Sequence, residues 1–433
     1  MQLEELHSIF ISLGQNVSTD TRKIIPGSIF FALKGENFNG NDFALEALNR
    51  GASVSVVDDP NLDQKEGLFF VKDVLTALQK LANFHRRKFD IPILAITGSN
   101  GKTTTKELLT AVLKKKYNTL STEGNLNNHI GVPLTLLKLR ENHEFAVIEM
   151  GANHQGEIQA LCEIAEPNFG IITNIGKAHL EGFGGIEGVK KGKSELFKYL
   201  AERKGKVFIH GDDAVLQEVA VNMDRITYGT TKLFDVIGKI NHNSKTVEFA
   251  WKTRYTASEI KSASNIKTNL VGIYNYFNVL CSACVGNYFK ITENEINEAI
   301  ANYNPDNNRS QLKKTEKNTL ICDYYNANPT SMRAAIENFK KSNFENRFLI
   351  LGDMLELGEE TEKEHQDILN ILNEFCLSDY LLVGPVFYAL NPEKSFINSE
   401  LVVEFIKEKS LEGKTILIKG SRGIMLEKII PYL

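Results

Sequence analysis

Cysteine is scarce in this chain. Five cysteines in 433 residues, irregularly spaced, cannot form the framework of a disulfide-stapled domain, and they suit a reducing compartment. Cys281 and Cys284 make a Cys-x-x-Cys pair, but inside the apolar run NVLCSACV, which reads as a helix. No second pair accompanies it, so buried packing is implied rather than a zinc or redox site. Long apolar runs are missing as well. None approaches the ~18 residues that a membrane span requires. The opening MQLEELHSIF is acidic where a secretory signal would be basic. A cytoplasmic location is therefore expected. Nor is there an excess of one charge. A net charge of −4 gives no reason to expect a nucleic-acid or membrane surface. The short basic clusters Arg86 to Lys88 and Lys114 to Lys116 read as solvated helix ends. Internal repeats and low-complexity segments are absent too.

What remains is the composition of a soluble globular protein, 42% apolar and 24% charged, in a chain too long for one ordinary core. Residues 1–88 show short strands and turns, with SIFFAL and VSVVDD among glycine-bearing loops, and then the helical pattern VLTALQKLANFHRRK. A boundary falls near residue 89. Beyond it the strand-like runs IPILAIT, FAVIEM, FGIITNI and KVFIH alternate with helical stretches. That rhythm predicts a mostly parallel sheet with helices on both faces. Residues 232–271 are more polar and strand-rich, as in an antiparallel edge. The polar stretch NYNPDNNRSQ, 302–311, reads as a linker. It is followed by TLICDYY, FLILGD, YLLVG and TILIKG, which predict a second open α/β domain.

The densest chemistry lies at LAITGSNGKTTTKE, 94–107. An apolar strand runs into Gly98, Ser99, Asn100 and Gly101, and Lys102, Thr103 and Thr104 open a helix. Glycines allow successive N–H groups to point at one anion, and the helix adds the positive end of its dipole. Lys102 would sit against the β- and γ-phosphates. Thr103 or Thr104 would offer a hydroxyl to Mg²⁺. A phosphate-binding loop usually has four residues between its glycines; this one has two. The pattern indicates a nucleoside triphosphate, without indicating what receives the phosphate.

The short form TGSNGKTTT resembles the loop of the ATP-dependent Mur ligase and folylpolyglutamate synthase superfamily, whose members activate a carboxylate with ATP and join it to an amine. Further stretches extend the resemblance, in order, over nearly the whole chain. TEGNLNNHIGVPLT, 122–135, is similar to the family's substrate- and phosphate-contacting segment, which implies roles for Asn125, Asn127 and Asn128. VIEMGANHQGEI places Glu149 at the carboxyl end of a strand, where the family's glutamate binds Mg²⁺. TNIGKAHLEGFG, 173–184, carries His179, matching the ligand of a second Mg²⁺. In GVKKGKSELF, 188–197, the residues alone read Lys190, Lys191 and Lys193 as a solvated cluster. The resemblance picks out Lys193 as a lysine that becomes carbamylated and binds metal, although Gly192 stands where the family usually has alanine. GIYNYFNVLCSA, 272–283, matches the adenine-side motif at Asn275 and Asn278, with Tyr274 replacing a histidine. Arg309 matches a phosphate-reaching arginine, and Asp323 a ribose contact. Asn326 and Asn328 are expected beside the substrate. HGDD, 210–213, departs from the family at His210.

The resemblance implies an α/β fold of three domains. These are a small N-terminal UDP-binding domain (1–88), a central mostly parallel domain of the phosphate-loop ATPase type (89–308), and a Rossmann-like C-terminal domain (309–433). STDTRKIIPGSIFFALKGENFNGNDF, 18–43, is similar to the UDP-binding domain of the late Mur ligases and implies that Ser18, Thr19 and Arg22 bind the nucleotide. Folylpolyglutamate synthases lack such a domain. LGDMLELGEETEKEH, DYYNANPTSM and LIKGSRGIMLEKII match the branch that adds D-alanyl-D-alanine. The Asp-Asn-Pro-Arg motif of the branch that adds diaminopimelate is absent. The implied reaction joins D-alanyl-D-alanine to UDP-N-acetylmuramoyl-tripeptide through an acyl phosphate. ATP, two Mg²⁺ ions and a carbamylated lysine would take part, with Lys102, His179 and Lys193 as catalytic residues and a monomer as the working form.

Overall fold

The computed structural model describes residues 2–62, 65–254 and 265–433, and these build three larger sheets, each flanked by helices, and a two-stranded antiparallel ribbon of Lys34–Gly35 and Phe38–Asn39. The N-terminal sheet orders its strands Val17–Ser18, Ile29–Phe31, Val54–Val57 and Leu68–Phe70, all parallel. Helix Gln2–Ser12 precedes it, an element the strand-and-turn reading of this region did not anticipate; Leu6 and Phe10, one turn apart, bury its inner face. Helix Val74–Arg86 follows, capped by the Asp73 carboxylate on the Thr76 amide. Its buried stripe ends with Arg86, which is 8% exposed. The reading of Arg86 as a solvated helix end is thus wrong. The aliphatic stem is buried and the guanidinium is spent on carbonyls of the next unit.

The central sheet has nine strands. In spatial order they are Ile266–Lys267, Glu248–Thr253, Val236–Ile240, Asp224–Gly229, Lys206–His210, Phe169–Ile172, Ile93–Thr97, Phe145–Glu149 and Thr119–Ser121. The four strands expected from apolar runs are present; Thr119–Ser121 and Asp224–Gly229 were not foreseen. The expected antiparallel edge is found at 236–240, 248–253 and 266–267. Residues 255–264 of that prediction lie outside the described residues. Ile93–Thr97 and Phe145–Glu149 are buried along their whole length, which is why their sequences are continuous apolar runs rather than alternations. Ile93 and Ala95 face the largest apolar cluster, whereas Leu94 and Ile96 face a second one covered by helices Tyr276–Tyr288 and Glu293–Asn302.

The C-terminal sheet runs Gln311–Lys314, Thr319–Asp323, Thr415–Lys419, Arg347–Gly352, Tyr380–Val383 and Ser395–Phe396, with only the first strand antiparallel. All four strands expected here are present. Cys281 and Cys284 are buried in their helix, Cys162 and Cys322 are buried elsewhere, and Cys376 is exposed. Among the described residues no helix is long and apolar enough to cross a membrane.

Candidate active site

Strand Ile93–Thr97 lies between Phe145–Glu149 and Phe169–Ile172. The chain leaves it toward one side of the sheet and later returns on the other. The crevice at the carboxyl ends of such neighbouring strands is where open α/β sheets bind ligands. The 98–101 turn occupies it. Gly98 has φ +140°, and a Cβ there would stand 2.0 Å from the Thr173 hydroxyl. Gly101 has φ +81° and immediately precedes helix Lys102–Leu113. Asn174 holds the turn from below: its backbone carbonyl accepts from Ser99 N at 2.9 Å and its Oδ1 from Asn100 N at 3.0 Å. Thr173 Oγ1 donates to the Asn100 carbonyl at 2.6 Å. Lys102 Nζ donates to the Gly98 and Ser99 carbonyls at 2.7 and 3.2 Å. Burial lowers the Lys102 ammonium to about 8, against the pull of Glu149.

Glu149 ends its strand at 1% exposure. Its Oε1 accepts from Asn127 Nδ2 at 2.8 Å and from the Thr103 hydroxyl at 3.2 Å. Its Oε2 is buried with no hydrogen-bond partner. A buried carboxylate oxygen without a donor is costly, and a cation beside it would remove that cost. Glu149 and the Thr103 hydroxyl therefore fit a divalent ion. His179 has φ +52°, and its Nδ1 faces the Glu356 carboxylate across the seam with the C-terminal unit. Among the described residues no three His, Cys, Asp or Glu side chains converge as a ready-made metal cluster.

Lys193 lies in helix Ile186–Glu202, fully buried, donating to the Ala152 carbonyl at 3.0 Å, with the Phe183 ring 5.0 Å from its Nζ. Burial, reinforced by Lys102, holds its pKa well below the usual lysine value. Lys190 pairs with Glu218 and Lys191 is exposed, so the three lysines are not one solvated cluster. This chain's departure from the family's pattern at Gly192 has a local correlate. A Cβ there would come within 2.4 Å of the Phe183 ring, the ring that covers Lys193.

A cleft of about 840 Å³ joins the central and C-terminal units, within the usual range of ligand pockets. Ser99 to Lys102, Thr104, Asn125, Asn127, Asn128, Glu149 and His179 line it from the central side, together with Tyr274, Asn275 and Asn278. Asn278 Nδ2 donates to Asn275 Oδ1 at 2.9 Å, and the Tyr274 hydroxyl meets Ser310 Oγ at 3.0 Å. From the opposite side come Arg309, Asp323, Asn326 and Asn328. Asn328 Nδ2 reaches Asn100 Oδ1 at 2.8 Å, so the C-terminal unit touches the phosphate loop directly. Asp323 accepts from Ser310 N at 3.1 Å and from Lys419 Nζ at 2.8 Å. Arg309 stacks at 3.8 Å on the Tyr325 ring and leaves its buried Nε unpartnered.

Gly98, Thr103 and Lys193 lie just behind the wall, and Ser18, Thr19 and Arg22 do not line the cleft. In the N-terminal unit Ser18 Oγ donates to the Asp20 carbonyl, and Arg22 is occupied by the Asp20 carboxylate at 2.8 Å. His210 packs on Phe277 and Tyr228, away from the cleft lining. Residue reading missed Asn174, Tyr325, Lys419, Glu356 and Arg422. All five sit inside stretches quoted as matching the family, but nothing in those stretches tells which side chain turns inward.

Three family models match the chain. They are the Mur ligase family catalytic domain at 15–86, the Mur ligase middle domain at 96–286, and the Mur ligase glutamate ligase domain at 308–422. The chain is 35% identical to UDP-N-acetylmuramoyl-tripeptide–D-alanyl-D-alanine ligase of Bacillus subtilis, over 96% of this chain and 92% of the relative. To the Escherichia coli enzyme of the same name it is 34% identical, over 99% and 95%. Among solved structures, MurF from Acinetobacter baumannii superimposes with a TM-score of 0.85 at 31% identity, covering 96% of this chain and 92% of that one. MurF ligase from Thermotoga maritima in complex with ADP gives 0.84 at 26% identity, covering 97% of each.

Proposed function

We propose that this chain, which belongs to the Mur ligase family, uses ATP to join D-alanyl-D-alanine to the terminal carboxylate of UDP-N-acetylmuramoyl-tripeptide in peptidoglycan synthesis. The observation that carries this reading is a cleft in which a phosphate loop and the C-terminal residues Asp323, Asn326 and Asn328 face one another. A carboxylate is a poor electrophile because its leaving group would be oxide. Transfer of the γ-phosphoryl group makes it an acyl phosphate and releases ADP. The dipeptide amine, having lost its ammonium proton, then attacks the acyl carbon, and phosphate departs.

The loop amides and Lys102 hold the β- and γ-phosphates, and Arg309 reaches the phosphates from the C-terminal unit. Asn275, Asn278 and Tyr274 face the adenine, and Asp323 the ribose. Asn125, Asn127, Asn128, Asn326 and Asn328 orient the tripeptide and the incoming amine. Ser18, Thr19 and Arg22 take the UDP moiety, Arg22 exchanging Asp20 for the diphosphate. Most of the rate enhancement is positioning and charge neutralisation. Two Mg²⁺ ions belong to this reading: Thr103 and Glu149 would hold one, and His179 with carbamylated Lys193 the other, to offset the phosphate charge. The buried lysine supports this part, since burial favours the neutral amine that combines with CO₂. Domain limits near 88 and 308, a cytoplasmic location and a monomeric working form complete the proposal.

The test is ADP release by purified protein with ATP and the UDP-tripeptide, with each candidate amine supplied separately. D-alanyl-D-alanine should drive it. Release that ignores the dipeptide would defeat the reading, as would a preference for diaminopimelate or lysine with the UDP-dipeptide substrate. Carbamylation is read separately by ¹³C NMR in labelled bicarbonate. A carbamate resonance is expected in the wild type and not in Lys193→Ala; a wild type without it would remove the carbamate.

A further inference from the structure

The cations of the cleft can be matched against the anions the reaction brings. Among the described residues, four Lys or Arg side chains line it: Lys102, Arg309, Lys419 and Arg422. Lys419 is already neutralised by Asp323 at 2.8 Å. Lys102 stands on the phosphate loop, and Arg309, buried at its Nε, is engaged with the phosphates in the proposed function. Arg422 is left. It is exposed, and no described carboxylate lies within ion-pairing distance of it. Its place is fixed from both ends. Ser421, just before it, accepts from Leu355 N at 3.0 Å and donates to the Ala327 carbonyl at 3.3 Å. Its guanidinium carbon lies 5.6 Å from the centre of the Tyr325 ring, the ring on which Arg309 stacks.

On the reading of function above, the N-terminal unit takes the UDP diphosphate, and three further anionic groups concern the cleft. The triphosphate and the tripeptide carboxylate converge at the γ-phosphorus. The third, the C-terminal carboxylate of the dipeptide, does not react and trails its amine by about 7 Å, the span of two extended residues. It needs a cation on the C-terminal wall, away from the phosphate loop. The wall that carries Arg422 also offers Leu355, 45% exposed, next to Gly423, and Ala334. That is small apolar surface suited to two methyl groups, on the same wall as a fork that binds a carboxylate in two-pronged fashion. We propose that Arg422 binds the terminal carboxylate of the incoming dipeptide and makes the enzyme select amines that carry one. The inference rests on the proposed function.

The experiment measures ADP release with D-alanyl-D-alanine and with its C-terminal amide, D-alanyl-D-alaninamide, for wild type, Arg422→Ala and Arg422→Lys. If closure of the cleft on its substrates takes this pair out of water, losing one partner should raise KM at least ~30-fold. The wild type should therefore show that penalty for the amide. Arg422→Ala should show it for the dipeptide, with KM for ATP within about twofold of wild type and no remaining preference for acid over amide. Arg422→Lys, charged but without the fork, should fall between. An Arg422→Ala enzyme with unchanged dipeptide KM and intact preference overturns the assignment. A wild type without dipeptide-dependent ADP release overturns the function and this assignment with it. Thermal melting checks that the variants are folded.

Discussion

The central unit meets its two neighbours in different ways. On the N-terminal side, Asn83 Nδ2 donates to the Glu163 and Ile164 carbonyls at 3.1 and 3.0 Å, and Arg86 donates to those of Ala165 and Glu166 at 2.9 and 3.2 Å. Those four carbonyls are the open end of helix Glu157–Ala165. One unit supplies the cap that the other's helix lacks, with a cation at the negative end of its dipole. On the C-terminal side, pairs of side chains accompany two backbone donors, Lys177 N to Thr330 Oγ1 at 3.1 Å and Ile273 N to Asn338 Oδ1 at 2.9 Å. Lys177 meets Glu364, His179 meets Glu356, and Asn328 meets Asn100. Lys177 and Glu356 are 46% and 52% exposed, whereas their partners Glu364 and His179 are 5% and 20% exposed, so each pair has one end that water already reaches. The first seam is a helix end capped by the neighbouring unit; the second, along which the cleft lies, is the one expected to open.

That contrast can be broken at several points. Lys102→Ala attacks the open seam where charge accumulates. Turnover should fall about 10²–10³-fold while the melting temperature holds; a folded variant with near-normal ADP release would remove the phosphate-loop role. Arg86→Ala attacks the closed seam. It leaves buried carbonyls without donors, and stability should drop by about 3 kcal/mol in urea unfolding, with turnover per folded molecule retained. A loss of activity without loss of stability would invert the comparison.

His85 sharpens the same point through pH. Its ring is 1% exposed, and burial lowers it from 6.5 to about 4, opposed by its hydrogen bond to the Leu139 carbonyl. His7 at 3.2 Å, Lys88 and Arg140 add no negative charge to hold a proton there. The unfolded chain therefore takes up this proton first. Stability is intact above pH 6.5, declines as pH falls toward 4 by about 2 kcal/mol, and then levels off. Urea midpoints across that range should show the slope, and His85→Gln should flatten it.

Gly192→Ala presses on the Phe183 ring and should cost about 1–2 kcal/mol, read by thermal melting. A neutral substitution would mean that the ring has room to move. The smallest effect is expected from Glu356→Gln at the same seam, where the carboxylate is 52% exposed, within about 1 kcal/mol of wild type in stability. Small-angle scattering should then show the chain compacting on addition of ATP and UDP-tripeptide, as the C-terminal unit closes on the centre. Unchanged dimensions on ligand addition would argue that the seam is fixed after all.

Much of this was legible in advance, for a physical reason in each case. Buried parallel strands announce themselves as apolar runs, so the interior of both large sheets could be read. Thr119–Ser121, only three residues long, could not. The phosphate loop is local in sequence, and its glycines, lysine and threonines are its signature. Lys193 is different. Nothing in GVKKGKSELF distinguishes a buried lysine from two solvated ones until helix Ile186–Glu202 sets its face against Ala152 and Phe183. Arg86 misled for the same reason, since its partners lie 79 and 80 residues away. Arg422, Tyr325 and Glu356 become neighbours of the loop only through the meeting of two units.

The distribution of thiols has a practical consequence. Cys376 is open to solvent, while Cys162 sits in the helix that closes the first seam, Cys281 and Cys284 lie under the central sheet, and Cys322 is in a C-terminal strand. Burial drives Cys281 to about 12 and Cys322 to about 11. An alkylating reagent at neutral pH therefore meets one nucleophile while the fold is intact and the others only as it opens. The order in which those four become modified, read by peptide mass, is a record of whether the central or the C-terminal unit lets go first, written by the chain's own thiols.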